Sequence, residues 1–258
     1  MSRRQSVEVP IFSDETLDRP LNGTLKIIQK RKGYRYSIDA ILLTHFCRLR
    51  EDDQVIDLGT GHAIIPVLLA AKGLASRIIG VEIQEELLNM ARRNIAINRM
   101  EDRITLIHRD VRDLPTCLER SSFEVAVTNP PYRGIQKGRL NPDPQKAAAR
   151  HEIHGSLRDM AQAAAVLLRP KGRFYVVYPA SRTVDMLLTL RESGLEPKQL
   201  QVVHSRAGER ARLVMAEAIK GGRREVKILT PLFVYDRGGQ YTKDMEKVYT
   251  TLGGQNDF

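Results

Sequence analysis

Short apolar runs and amphipathic stretches alternate through the middle of the chain. Val55-Ile56-Asp57-Leu58, Arg77-Ile78-Ile79-Gly80-Val81, Ile104-Thr105-Leu106-Ile107, residues 123–128 and Phe174-Tyr175-Val176-Val177-Tyr178 are each four to six residues long. Runs of that length, rich in β-branched residues and bounded by turn residues, predict buried strands. Between them, Ala63 to Lys72, Gln84 to Asn98, Leu157 to Leu168 and Arg182 to Glu192 carry apolar residues at helical spacing. Strand, turn and helix in repeated alternation predict a parallel sheet covered by helices on both faces. The tail departs from this rhythm. Arg212 to Ile219 and Val226 to Tyr235 are predicted as two strands joined by Lys220-Gly221-Gly222-Arg223, an antiparallel hairpin. The expected sheet therefore has seven strands and is mostly parallel.

The pattern also sets provisional boundaries. Residues 1–20 are polar and irregular, Leu25 to Gln29 predicts one strand of a hairpin or edge element, and Ser37 stands where a helix cap belongs, before Ile38, Ile41, Leu42 and Phe46. Residues 1–50 are expected to form an arm, hairpin and helix packed on the core. Residues 51–250 make the main domain, and 251–258 a frayed tail.

Chemistry concentrates at the carboxyl ends of the predicted strands, where open α/β sheets bind ligands. Asp57-Leu58-Gly59-Thr60-Gly61 spans the first strand-to-helix turn, and its glycines permit close approach of a ligand to the backbone. The dinucleotide fingerprint needs a third glycine where Ile64 stands, which counts against a pyrophosphate cofactor. An acidic residue before the glycines suits a cofactor with an ammonium group. Glu82 closes the second strand and can accept both hydroxyls of a ribose. Asp110, after the third, can meet an adenine amine.

Asn129-Pro130-Pro131-Tyr132 follows the fourth strand. Two prolines cannot continue a strand's hydrogen bonding, so the chain must turn there. The turn supplies an amide, free backbone carbonyls and an aromatic face, the parts needed to hold a planar group bearing an NH2. Arg133, Lys137, Arg139, Lys146 and Arg150 follow directly, and a second basic cluster occupies residues 198–227, including Arg210.

The net charge of +10 and pI near 9.7 point to a polyanionic partner. Cys47 and Cys117 are isolated, so neither a disulfide framework nor a metal site is expected. No apolar run is long enough to span a bilayer, and no secretory signal follows the basic start, so a cytoplasmic location is expected. A monomer is consistent with these features.

With these residues in hand, the chain resembles the class I S-adenosylmethionine-dependent methyltransferases over about residues 22–235. The Asn-Pro-Pro-Tyr turn is similar to the signature of members that methylate planar NH2 nitrogens: adenine N6, cytosine N4 and glutamine N5. Gly33-Tyr34-Arg35-Tyr36-Ser37-Ile38-Asp39-Ala40, the glycine turn, Gly80-Val81-Glu82-Ile83-Gln84 and Arg150-His151-Glu152 together resemble the bacterial valine-tRNA adenine-N6 methyltransferases. The resemblance implies a Rossmann-like methyltransferase fold and S-adenosyl-L-methionine as cofactor. It implies cofactor contacts at Tyr36, Ser37, Asp39, Asp57, Gly59, Thr60, Gly61, Glu82, Ile83, Asp110, Val111 and Asn129. It also implies acceptor handling by Asn129, Pro130, Pro131 and Tyr132, and RNA contacts at Arg133, Lys137, Arg139, Arg150 and Arg210. The expected substrate is tRNA near the anticodon. Methylation of a protein glutamine, and a non-catalytic RNA-binding protein that kept the fold, are the alternatives. Ser37 and Asp39 keep two readings, helix cap with first-turn carboxylate or wall of the cofactor site.

Overall fold

The computed structural model describes residues 9–32, 35–73, 75–131 and 155–253. Tyr132, Arg133, Lys137, Arg139 and Arg150 lie outside the described residues, as do His151 and Glu152.

The predicted alternation is realised. Strands β3 (Gln54–Leu58), β4 (Arg77–Glu82), β5 (Ile104–His108), β6 (Phe123–Thr128) and β7 (Leu168–Pro179) run parallel in the order β7-β6-β3-β4-β5. The apolar runs supply the buried ladder: Val55, Ile56, Val125, Ala126, Val127, Phe174 and Val176 have no exposed surface. Helices α2 (Ile64–Ala71) and α3 (Glu85–Ile97) connect the early strands, with a short α4 (Leu114–Cys117) after β5. Helix α5 (Leu157–Leu167) opens with a capping box, in which Ser156 and Asp159 each satisfy the other's backbone N–H. It presents Met160, Ala161, Ala164 and Leu167 to the sheet. Helix α6 (Thr183–Glu192) follows β7.

The antiparallel hairpin exists, but its arms differ from the sequence expectation. It consists of β8 (Leu195–His204) and β9 (Ala211–Lys220), joined at residues 205–210 rather than through Lys220 to Arg223. Strand β9 inserts between β7 and β8, so both of its edges are used. The chain after Gly221 can then pair only with the outer edge of β8. It does so twice, as β10 (Lys227–Ile228) and β11 (Leu232–Phe233), both parallel to β8. Pro231 interrupts any longer strand, because it has no N–H to donate. Seven long strands thus form the sheet, with two short pairings on its rim.

The amino-terminal segment joins the same core. Strands β1 (Glu15–Asp18) and β2 (Ile27–Lys30) pair antiparallel. Leu21, Leu25 and Ile27 share one buried cluster with α1 (Ile38–Phe46), α2 and the final helix α7 (Lys243–Gly253). That helix runs past residue 250, with Leu252 buried. Full burial of a side chain such as Leu42 or Leu43 stabilises the fold by roughly 1.5–3 kcal/mol. No helix among the described residues is long and apolar enough to cross a membrane.

Candidate active site

Sheet register sets the site. Asp57 pairs with Val127 on one side and with Gly80 on the other. Two residues further along, Gly59 therefore stands level with Asn129 on β6's extension and with Glu82 at the end of β4. Strand spacing puts the two flanking residues roughly 9–10 Å apart across the glycine turn. The Thr128 hydroxyl donates to the Leu58 carbonyl at 2.8 Å, and Gly59 N–H and Thr60 N–H both donate to the Val81 carbonyl, at 3.0 and 2.8 Å. The row is thus bolted from both sides.

The turn has the backbone its glycines promise, with Gly59 at φ +75° and Gly61 at φ +60°. A Cβ on Gly59 would also meet Met160 Cε at 3.1 Å, because α5 packs beneath it. Ala63 repeats the left-handed conformation at φ +66°, although it carries a Cβ.

Asp57 is fully buried, and neither carboxylate oxygen completes a hydrogen bond. Burial pushes its pKa up to about 7. The Thr60 hydroxyl eases the charge without closing a bond, and the neighbouring Glu82 raises the value further. Such a carboxylate is costly unless a cation joins it. Glu82 is nearly buried and well supported. Its Oε2 accepts from Gly61 N–H at 2.9 Å, and its Oε1 accepts from Ile83 N–H at 3.0 Å and Gln84 N–H at 2.9 Å. Gln84 Nε2 also donates to Oε1 at 3.3 Å, which leaves Oε2, with its single hydrogen bond among the described residues, the room for a ligand hydroxyl. Ile83 contributes that backbone N–H.

Asp110 sits after β5, where its carboxylate binds the Arg112 guanidinium, with Arg112 Nη2 at 2.5 Å. The hydrogen bonds from Arg112 hold its pKa below the usual carboxylate value. Val111 is buried, its methyl touching the space over Gly155. Asn129 is half-buried, Pro130 buried and Pro131 exposed.

Tyr36, Ser37 and Asp39 occupy a different place from the glycine turn. They line a cavity of about 490 Å³ together with Val203, Arg212, Leu213, Tyr235, Tyr241 and Tyr249. The two regions touch: the Tyr36 ring lies 6.1 Å from that of His62, next to Gly61. His62 is buried, and burial pushes its pKa down to about 4, so it packs as a neutral ring. Ser37 has the extended backbone of a helix cap, but its side chain takes no capping hydrogen bond. Its hydroxyl instead serves Asp39, whose pKa burial raises. The cap reading for Ser37 thus holds for the backbone only.

The second basic cluster is divided by its own hairpin. Arg206, Arg210 and Arg212 are exposed at the carboxyl edge, where β8 ends and β9 begins. Lys220 ends β9, paired with Leu195, and Arg223 and Arg224 follow it at the far end of the strand. A ten-residue strand separates the two groups by roughly 30 Å.

Asn94 and Asn98 are structural supports that no motif announced. Asn94 Oδ1 accepts from Ile28 N–H at 2.6 Å, and its Nδ2 donates to the Ile28 and His62 carbonyls at 3.0 and 2.9 Å. Asn98 treats Lys26 the same way, at 3.0 and 2.6 Å. One turn of α3 thereby replaces a strand partner for β2 and fixes the loop after the glycines. The only sequence signal was two asparagines four apart in an otherwise apolar helix face.

Comparison with known proteins agrees with this geometry. Residues 49–231 match the methyltransferase domain family. The tRNA1(Val) (adenine(37)-N6)-methyltransferase of Aeromonas salmonicida is 28% identical over 213 residues, 82% of this chain and 87% of that one. Its counterpart in Dyadobacter fermentans is 25% identical over 212 residues, 82% and 86% of the two chains. Among solved structures, one described as a predicted O-methyltransferase from Agrobacterium tumefaciens superimposes with a TM-score of 0.68. Identity there is 20%, over 84% of this chain and 98% of that one. Pyrococcus horikoshii TYW2 in complex with MeSAdo gives 0.57 at 13% identity, over 82% and 73%. A buried carboxylate wanting a cation, an open glycine turn and a strand-end glutamate suit an ammonium-bearing nucleoside. The chain belongs to the methyltransferase domain family and is an S-adenosylmethionine-dependent methyltransferase.

Proposed function

We propose that the methyl group goes to the exocyclic N6 amine of an adenine in tRNA, next to the anticodon, in the cytoplasm. The observation that carries this reading is the position of Gly59 and Asn129, each two residues beyond the paired Asp57 and Val127, just past the carboxyl ends of neighbouring strands. The relatives' printed activity supports the same substrate class. The cofactor, when bound, supplies an electrophilic methyl on sulfur. Asp57 is the partner for its ammonium group and Glu82 for its ribose hydroxyls. Gly59, Thr60 and Gly61 give it backbone access, while Ile83, Asp110 and Val111 border its base. Tyr36 borders the cofactor site through its contact with His62, while Ser37 and Asp39 stand behind it at the start of α1, in the adjoining cavity.

On the acceptor side, the Asn129 side-chain oxygen and the Pro130 carbonyl accept hydrogen bonds from the adenine NH2. That directs its lone pair, otherwise delocalised into the ring, toward the methyl. Pro131 stiffens the turn and Tyr132 stacks on the base. Positioning of this kind can recover roughly 7–11 kcal/mol of a barrier. A loop adenine is already partly unstacked, which lowers the cost of extruding it. Arg133, Lys137, Arg139, Arg150 and Arg210 neutralise RNA phosphates.

The test is transfer of labelled methyl to unmodified tRNA, total protein and DNA in parallel, followed by nucleoside analysis. Label in N6-methyladenosine from tRNA is expected. Label in protein glutamine instead would overturn the substrate. Asn129→Ala should lower kcat on tRNA roughly 10²–10³-fold, the scale for removing one preorganised polar group at a reacting centre, while cofactor binding persists. Full activity in that variant would refute the role of Asn129.

A further inference from the structure

The cavity beside the glycine turn has a composition that cofactor binding does not explain. Four tyrosines from separate parts of the chain line it: Tyr36 before α1, Tyr235 after β11, Tyr241, and Tyr249 on α7. Three of them form one continuous aromatic wall. Tyr235 and Tyr241 stack with centroids 5.4 Å apart and planes 10° apart, and Tyr241 meets Tyr249 at 5.3 Å. The Arg206 guanidinium lies 5.4 Å from the Tyr235 centroid, and Arg212 lines the cavity itself. Tyr241 remains 42% exposed, although it is a large ring in an aromatic cluster. Tyrosine, rather than leucine, around an opening flanked by arginines is a surface for a planar group attached to an anion.

Position narrows the choice. Leu213 on β9 stands level with Pro179, and Thr128 with Val176 of the same strand β7. The cavity is therefore at the same carboxyl edge as Asn129, but two to three strands across, roughly 10–15 Å away. That offset separates it from the amine that accepts the methyl group.

We propose that this tyrosine-lined cavity is a second nucleobase subsite. It stacks an unpaired base flanking the methylated one, while Arg206 and Arg212 meet its phosphates. The inference rests on the RNA reading above and deepens it. Every base has a π-face, so stacking grips without reading sequence, and arginine adds cation–π attraction on the same wall. At about 490 Å³ the cavity has room for a whole base. Specificity for the RNA would then come from the spacing between two pockets, one that reacts and one that only holds.

The test uses a synthetic anticodon stem-loop RNA carrying 2-aminopurine at each loop position in turn. A 12-nucleotide single-stranded RNA with one 2-aminopurine serves as a second probe. Fluorescence is read without cofactor, so no methyl transfer is needed. Quenching is expected at a loop position other than the acceptor. Tyr241→Ala should abolish it and weaken RNA binding roughly tenfold, as stacking losses do. Tyr241→Phe should keep both, and methyl transfer by Tyr241→Ala should show raised KM for RNA with kcat nearly unchanged. Because Tyr241 is partly exposed, its truncation should leave the fold intact, which an unchanged melting temperature checks. Equal quenching in wild type and Tyr241→Ala would overturn the subsite, as would no RNA binding by the wild-type protein. Quenching that depends on Tyr241 while the tRNA takes no label would keep the subsite and refute the tRNA substrate instead.

Discussion

The two halves of the carboxyl edge are built by opposite strategies. On the cofactor half, each polar group lies within a few residues of the strand that places it: Asp57 and Gly59 with β3, Glu82 with β4, Asp110 with β5. On the acceptor half, the Tyr36 wall comes from a segment roughly 170 to 210 residues before the Val203 to Leu213 and Tyr235 to Tyr249 walls that it meets. The first arrangement preorganises a site through local backbone geometry alone. The second exists only when distant segments dock, so its integrity depends on contacts that themselves bind nothing.

Asn94 tests that dependence most severely. It belongs to α3, in the cofactor half, and holds β2, whose continuation carries Tyr36 to the cavity. Asn94→Ala would strip a buried N–H of its acceptor and two carbonyls of a donor. The expected cost is about 3 kcal/mol. Calorimetry should show a melting temperature lower by roughly 6–12 °C. Amide exchange should accelerate most across residues 26–30. A loss under 2 °C would mean the N-terminal hairpin docks by its apolar residues alone, and the comparison would lose its link.

Asp57 probes the cofactor half by itself. Its folded pKa, about 7, exceeds the ordinary 3.8, so between those values the folded state binds more protons than the unfolded one. Stability of the cofactor-free protein should therefore fall as pH rises from about 4 to about 7 and level off above. Affinity for an ammonium-bearing cofactor should move the other way, rising with pH until Asp57 is ionised. Asp57→Asn should remove both dependences and weaken S-adenosylhomocysteine roughly 10- to 100-fold, the range for a lost charged hydrogen bond. Titration calorimetry from pH 5.5 to 7.5 decides it: matching flat profiles in both proteins would take Asp57 out of the ammonium site.

The same contrast explains what was legible in the sequence. Asp57, Gly59, Glu82 and Asn129 announced themselves because strand, turn and polar residue are contiguous, and register then set them in one row. Strand β8 did not, since Pro197 interrupts its pattern. The structure keeps that proline opposite Ala218, beside a register shift between Pro197 and Gln199, the kind of irregularity where a strand tolerates proline. The expected strand over Val226 to Tyr235 failed for the complementary reason: β9 had no free edge to offer it. The tyrosine cavity was invisible because no local period relates Tyr36 to Tyr249. Asn94 and Asn98 carried a helical spacing, but nothing in that spacing named β2 as their partner.

The mildest probe lies on the cofactor half, away from every ligand. Helix α3 ends in a Schellman arrangement: Met100 N–H donates to the Ile95 carbonyl at 3.1 Å and Arg99 N–H to Ala96 at 3.0 Å. Arg99 must adopt φ +57° to close it, a conformation that favours glycine. Its side chain is exposed, at the amino edge of the sheet, so little packing is lost on truncation. Arg99→Gly relieves a left-handed residue, against the greater entropy that glycine loses on folding. The expected gain is about 0.5–1 kcal/mol, a melting temperature higher by roughly 1–4 °C. The KM for tRNA should stay within twofold, because a locally built half can be stiffened without moving the other. A gain in stability accompanied by a large change in that KM would show that the two halves are coupled through α3 itself, and that docking of the distant walls is set from the helix rather than from its asparagines alone.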